Sequence, residues 1–221
     1  MSATSTRSWV TLLPNRLTGI DESNVEPHHY LNADDPCYFF GEYYGQESYK
    51  GGPTNQLISN FKIKPSVAKA NSSRAYHKAK ALRTIAAVVR QVIPQQNAER
   101  LTWVPIPTSK TPTHADYDTR LVDTLSLAFR HYDADIRPML RQSRDTDADH
   151  ENNLRLSKDE LLGIIELNPD GPMDPAPQGI VLFDDLLTTG KHYKCCEHRL
   201  HEVFPDTPIY GVFAARRIFR E

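Results

Sequence analysis

The stretch that decides the fold is Gly179–His192, "GIVLFDDLLTTGKH". Its apolar run has the length of a buried strand, yet it ends in two adjacent carboxylates, Asp184 and Asp185. Burying charge is costly unless a partner gathers there. From Thr188 onward, "TTGKHYKCCEHRLHEVF" reads as a helix that stops before Pro205, and "PIYGVFAAR" as a last strand. Upstream, "LTWVPIP" (Leu101–Pro107) reads as a buried strand leaving into a proline-bounded loop. "DYDTRLVDTLSLAFRHY" reads as a helix with Leu121, Leu125, Ala128 and Phe129 inward. "DIRPML" is a short strand that Pro138 confines to an edge or an end. "LLGIIEL" is a strand candidate, preceded by Ser157–Glu160 with capping-box spacing.

Further out, Ser72 or Ser73 caps a helix running to about Ile93 and stopped by Pro94. At about 100° per residue, Ala75, Ala79, Leu82, Ile85, Ala86, Val89, Val92 and Ile93 share its inner face. "CYFFGEYY" (Cys37–Tyr44) reads as a strand, "GQESYKGGP" as a turn, and "NQLISNFKIK" as a second strand forming a hairpin or cap with the first. Residues 1–35 carry no clear pattern, and within them "DESNVEPHH" and "NADDP" read as loop. Strands alternating with helices predict an α/β fold with a parallel sheet core flanked by helices. The expected division is an N-terminal extension or hood over 1–65 and an α/β domain over 66–221. Ligands in such sheets sit beyond the carboxyl ends of strands, so the loops Pro107–Thr111 and Asp184–Gly190 are the expected walls of one site.

The chemistry of the second loop is specific. Amides at a helix N-terminus favour an anion, threonine hydroxyls add donors, and Gly190 lets the backbone approach closely. Thr188, Thr189 and Gly190 therefore make a phosphate cradle. Two carboxylates beside a phosphate need another partner. Sugar hydroxyls donate to carboxylates, and magnesium takes a few carboxylates with waters and substrate phosphates. A phosphorylated sugar satisfies both halves.

"IVLFDDLLTTGKH" resembles the phosphoribosyl pyrophosphate motif of type I phosphoribosyltransferases: four apolar residues, two acids, two apolar residues, then Thr-Thr-Gly. The order "FKIK", helix, "WVPIPTSK", Arg-rich segment, motif most resembles the ComF-like, amidophosphoribosyltransferase-related branch, over roughly Leu57 to Arg216. The resemblance implies that Asp184 and Asp185 bind the ribose hydroxyls. It also implies that Thr188, Thr189 and Gly190, with the Leu187 backbone and the flanking Lys191 and His192, hold the 5-phosphate. Thr108, Ser109 and Lys110 fall at the pyrophosphate loop. Arg141, Arg144 and Arg155 fall in a mobile flap, beside Asp145, Asp147, Asp149 and Glu151. The implied reaction breaks the C1–pyrophosphate bond and moves the ribosyl group to a nucleophile, with Mg2+ and Lys110 stabilising the leaving group. Homodimers are common in the family. Departures from its pattern are His192, where threonine usually closes the motif, and Thr188, where purine-salvage members carry a basic aspartate. Cys37 alone cannot build the zinc ribbon common in that branch. No glutaminase segment precedes the domain, which argues against ammonia transfer from glutamine.

The 221 residues carry a net charge of −2, which gives no global case for nucleic acid or membrane. Three cysteines make no disulfide framework, so a reduced, cytoplasmic setting is expected. The apolar patch Trp9–Leu13 is too short for a signal-peptide core. A Walker loop is missing, which removes the ATPase reading of the acid pair. Cys195 and Cys196, with His192, His198 and His201, share one helix and read as small core residues rather than a zinc site, and His28-His29 reads as plain loop. Ser48–Ala98 holds nine Lys or Arg and no Asp or Glu. Lys80, Arg83 and Arg90 with His77 then form either a solvated basic face or a nucleic-acid contact, with Tyr44, Tyr49 and Phe61 as stacking groups. The alternative to an enzyme is thus a sugar-phosphate or nucleotide sensor that holds nucleic acid, as in DNA-uptake or phage-defence systems.

Overall fold

The computed structural model describes residues 13–146 and 156–219. Its elements in chain order are β1 (Thr18–Gly19), β2 (Cys37–Tyr44), a 3-10 turn (Ser48–Gly51), α1 (Pro53–Phe61), α2 (Pro65–Ala70), α3 (Ser72–Val92) and α4 (Gln95–Arg100). There follow β3 (Thr102–Pro105), α5 (Arg120–Ala128), β4 (Asp135–Ile136), β5 (Leu140–Gln142), α6 (Lys158–Leu162), β6 (Ile165–Leu167), β7 (Ile180–Leu187), α7 (Lys191–His201) and β8 (Ile209–Ile218). The main sheet has the order β1-β2-β8-β7-β3-β4. All its neighbours are parallel except the β1–β2 pair. It is a mostly parallel mixed sheet flanked by helices, an α/β fold. Among the described residues no helix is long and apolar enough to cross a membrane.

β7 lies inside the sheet between β8 and β3, which is why its first four residues are all apolar and buried. Side chains alternate along a strand. Val181 and Phe183 pack with α1, α3 and α5, while Ile180 and Leu182 pack with α7 and the segment around Ile20 and Leu31. The strand runs through both aspartates to Leu187, so the same alternation sends Asp185 and Asp184 to opposite faces.

"NQLISNFKIK" is not a strand. It forms most of α1, because Pro53 occupies the first helical turn and Leu57, Ile58 and Phe61 recur at helical spacing on one buried face. Residues 37–61, placed by sequence in the extension, thus add a strand and a helix to this sheet and core. Phe61 is fully buried, which removes it as a stacking group for nucleic acid. Asn71, one residue ahead of the expected serines, caps α3 by accepting from the Arg74 amide at 3.1 Å. Ala81 and Val88 are buried where Ala75 and Ala79 are not, so the inner face is rotated slightly from the expected one. The Ser157–Glu160 capping box forms as expected and starts α6.

β5 and β6 make a separate two-stranded antiparallel ribbon. Its base is latched to the loop after β3. The Ser109 carbonyl accepts from the Thr146 amide at 2.8 Å, and Asp145 accepts from the Thr111 amide at 2.8 Å. Arg155, Asp147, Asp149 and Glu151 of the expected flap lie outside the described residues.

Candidate functional site

The Ile106 amide donates to the Phe183 carbonyl, so the loop after β3 and the acidic end of β7 leave the same edge of the sheet side by side. β7 passes through Thr188 and Thr189 into α7, with Gly190 as N-cap at φ +82°, a left-handed conformation that favours glycine. A Cβ there would also meet Leu31 Cγ at 2.5 Å.

The turn is gripped from outside by the N-terminal segment. His28 Nδ1 donates to the Thr188 carbonyl, the Tyr30 amide donates to the Thr189 carbonyl at 2.9 Å, and Leu31 covers Gly190. His28 is fully buried. Burial pushes its pKa down, outweighing the opposite pull of the carbonyl, so the ring is neutral with its proton on Nδ1. His28 read as plain loop in the sequence because nothing local marks it; its partner is 160 residues away.

The two aspartates have different surroundings. Asp185 is 2 % exposed. Oδ1 pairs with Lys62 Nζ at 2.9 Å, and Oδ2 receives Arg120 Nε at 2.9 Å and Nη2 at 2.7 Å. Burial alone would raise its pKa, but Lys62 and Arg120 prevail and hold it at about 2. Asp184 is half-buried and accepts only the Asp185 amide, at 2.7 Å, among the described residues. Burial and then the charge of Asp185 raise its pKa to about 7, against the opposing pull of Lys62 and Arg120. The pair therefore separates into an anchored anion and a carboxyl poised between its two forms.

The ion network extends further. Asp118 binds Arg120 Nη1 at 3.0 Å and Lys78 Nζ at 2.6 Å, and Lys78 also donates to the Phe61 and Ile63 carbonyls. Burial lowers the Lys78 pKa. Lys62, Lys78, Asp118 and Arg120 are the functional-site residues that sequence reasoning missed. Lys62 lies in "FKIK", and a cation set between two apolar residues, Phe61 and Ile63, was the available signal.

Thr108 is half-buried, with a hydroxyl that is buried and without a partner among the described residues. It lines an open, shallow cleft with Lys110, Tyr117, Arg141 and Gln142. That cleft borders the loop after β3 and is not lined by Asp184, Asp185 or the threonine turn. Lys191 is buried and its ammonium donates to the Leu156 carbonyl at the returning end of the ribbon, rather than facing the cradle. His192 is half-buried on the first turn of α7. Arg141 is held by Glu166 at 2.7 Å, and Arg144 is exposed. Arg83 and Arg90 are exposed and Lys80 is half-buried on α3. Cys37, Cys195 and Cys196 are buried thiols.

Magnesium fits this donor set only in a limited way. No group of three or more His, Cys, Asp or Glu side chains could hold a metal ion among the described residues, and Asp185 is already saturated by cations. Asp184 is the carboxylate left for a hydrated ion that arrives on a ligand's phosphates. Comparison with protein-family models and with curated proteins gives no match to this chain.

Proposed function

We propose that the chain binds phosphoribosyl pyrophosphate with Mg2+ and transfers its phosphoribosyl group to an acceptor. The carrying observation is that one strand carries an available carboxyl, Asp184, near its end and passes through Thr188 and Thr189 into a glycine-capped helix N-terminus. In this reading Asp184 accepts from the ribose diol, and the amides and hydroxyls of Thr188–Gly190 hold the 5-phosphate. Asp185 fixes Lys62 and Arg120, whose positive charge balances the anionic ligand. Thr108, Ser109 and Lys110 face the pyrophosphate. When bound on the substrate, magnesium supplies charge neutralisation to the leaving pyrophosphate. The C1–oxygen bond breaks with its electron pair leaving on pyrophosphate, the acceptor's lone pair forms the new bond at C1, and the acceptor's proton passes to solvent. The chain's contribution is positioning and electrostatic complementarity.

Calorimetry with phosphoribosyl pyrophosphate and Mg2+ tests this. We expect micromolar binding by the wild type and a loss of about 100-fold in Asp184→Asn, since a hydrogen-bonded charge is replaced by a neutral amide (about 2–3 kcal/mol). A wild type that does not bind would falsify the proposal. A screen of bases, amines and nucleotides for pyrophosphate release then identifies the acceptor.

A second reading, a sensor that contacts nucleic acid, draws on α3. Tyr76 (57 % exposed), Lys80, Arg83, Ala87 and Arg90 recur at alternating spacings of four and three, a single stripe along the helix. Lys62 and Lys78, however, are spent in the internal network, so the acid-free segment is less basic at its surface than in sequence. If the stripe binds DNA, the Lys80/Arg83/Arg90 triple alanine variant loses at least tenfold in affinity at low salt, read by mobility shift. Unchanged binding removes this reading and leaves the first one intact.

A further inference from the structure

We infer that His28 is a positioning residue for the phosphate cradle: it holds the Thr188 carbonyl so that the next amide is aimed at an incoming phosphate monoester. The inference deepens the proposed function and rests on it. In a trans peptide the carbonyl and the following N–H point in opposite directions within one plane. The Thr188 carbonyl is turned toward His28 and the Thr189 carbonyl toward the Tyr30 amide. The N–H groups of Thr189 and Gly190 must then point away from the N-terminal segment. Among the described residues no backbone group accepts from either amide. Two adjacent donors aimed the same way, at the N-terminus of an 11-residue helix, form an anion-binding concavity.

His28 suits this task because its ring is fully buried and neutral, and a carbonyl oxygen can only accept, so the tautomer is fixed. The Nε2 lone pair is buried with no partner among the described residues. An unpaired buried acceptor costs stability. A phenylalanine or leucine would fill the same volume without that cost, so the ring is retained for its donor and not for packing alone. Without the donor, the Thr188–Thr189 peptide can rotate and swing the Thr189 amide out of line, while Tyr30 and Leu31 still hold the rest of the turn.

The test compares His28→Asn, His28→Gln and His28→Leu by calorimetry, with two ligands. Ribose 5-phosphate reports the cradle; inorganic pyrophosphate reports the loop after β3. An asparagine amide can reach the place of Nδ1, a glutamine amide reaches that of Nε2, and leucine has no donor. Ribose 5-phosphate affinity is expected to stay within about threefold of wild type in His28→Asn and to fall about five- to tenfold in the other two, as for one lost hydrogen bond. Pyrophosphate affinity is expected to hold in all three. Should leucine fail to fold, the Asn–Gln contrast carries the test. Equal ribose 5-phosphate affinity in wild type and His28→Gln overturns the inference, as does a parallel fall for both ligands. A wild type that binds no ribose 5-phosphate removes the functional reading and this inference together, whereas unaffected variants remove the inference alone.

Discussion

Ribose 5-phosphate is expected to bind about tenfold more tightly at pH 8 than at pH 6 without divalent cations, and Asp184→Asn is expected to lose that dependence. The dependence comes from the ionisation of one carboxyl. Asp184 titrates at about 7 because burial and the neighbouring Asp185 oppose its charge. A diol donates to a carboxylate, so the ionised form is the competent one. About a tenth of the molecules are ionised one pH unit below the pKa and about nine tenths one unit above it, and apparent affinity scales with that fraction. The ligand's own phosphate titrates near pH 6; that part survives in the variant and is subtracted by it. Stability should move the opposite way. The folded pKa lies above the ordinary value of 3.8, so the folded state holds the extra proton, and Asp184 costs stability as pH rises from about 4 through 7. Asp184→Asn should therefore melt higher than wild type at pH 8, by several degrees or more, and close to it only near pH 4, since each kcal/mol moves Tm by about 2–4 °C in a chain of this size. A residue that weakens the fold where it serves the ligand is one retained for the ligand. If the variant instead melts lower at pH 8, or keeps the full pH dependence of binding, Asp184 is not the titrating ligand group.

What could be read from sequence divides along the range of the interactions. β7, β3, β8, α3 and α7 were legible because burial inside a parallel sheet writes an apolar run, and a helix writes a 3.6-residue period. The threonine–glycine turn was legible for the same local reason: its conformation is dictated by Gly190 itself. α1 was misread as a strand because Asn55, a polar residue, is fully buried within it. It accepts from the Tyr44 amide and donates to the Tyr44 and Ser48 carbonyls, tying the helix to the end of β2. That contact blurs the helical period without weakening the helix. The division of labour between Asp184 and Asp185 follows from strand alternation and was available in principle, but the partners of Asp185 were not. Lys62 and Arg120 come from two helical regions 58 positions apart, brought together only when α1 and α5 pack on the same face as Phe183. His28 belongs to the same class: a loop residue whose role exists only once the chain has folded back across the turn.

Arg120→Met is expected to cost about 3–5 kcal/mol, a fall in Tm of roughly 6–20 °C. Arg120 is the only described side chain that joins both halves of the buried network, giving Nε and Nη2 to Asp185 and Nη1 to Asp118. Methionine keeps much of the volume and the packing over Phe61, whose ring centre lies 5.6 Å from the guanidinium carbon. The cost is therefore electrostatic. Asp185 is left with Lys62, which is partly exposed, and Asp118 with Lys78. Breaking a buried pair leaves an uncompensated charge, which is far more costly than replacing both partners. The pH dependence identifies the mechanism. In the wild type burial opposes the Asp185 charge, but Lys62 and Arg120 outweigh it and depress the pKa to about 2, below the ordinary 3.8. Asp185 thus contributes stability that is complete above about pH 4 and lost as pH falls toward 2. Removing Arg120 raises the folded pKa, so the gap between wild type and variant should be widest near pH 7 and should narrow as Asp185 takes up its proton. The Arg120→Met/Asp185→Asn double variant should regain part of the loss, because the orphaned charge is gone. Denaturant melts at pH 4 and pH 7 decide it: a gap that is the same at both, or a double variant with simply additive losses, would assign Arg120 to packing and detach the anion at Asp185 from the cations that the proposed site needs.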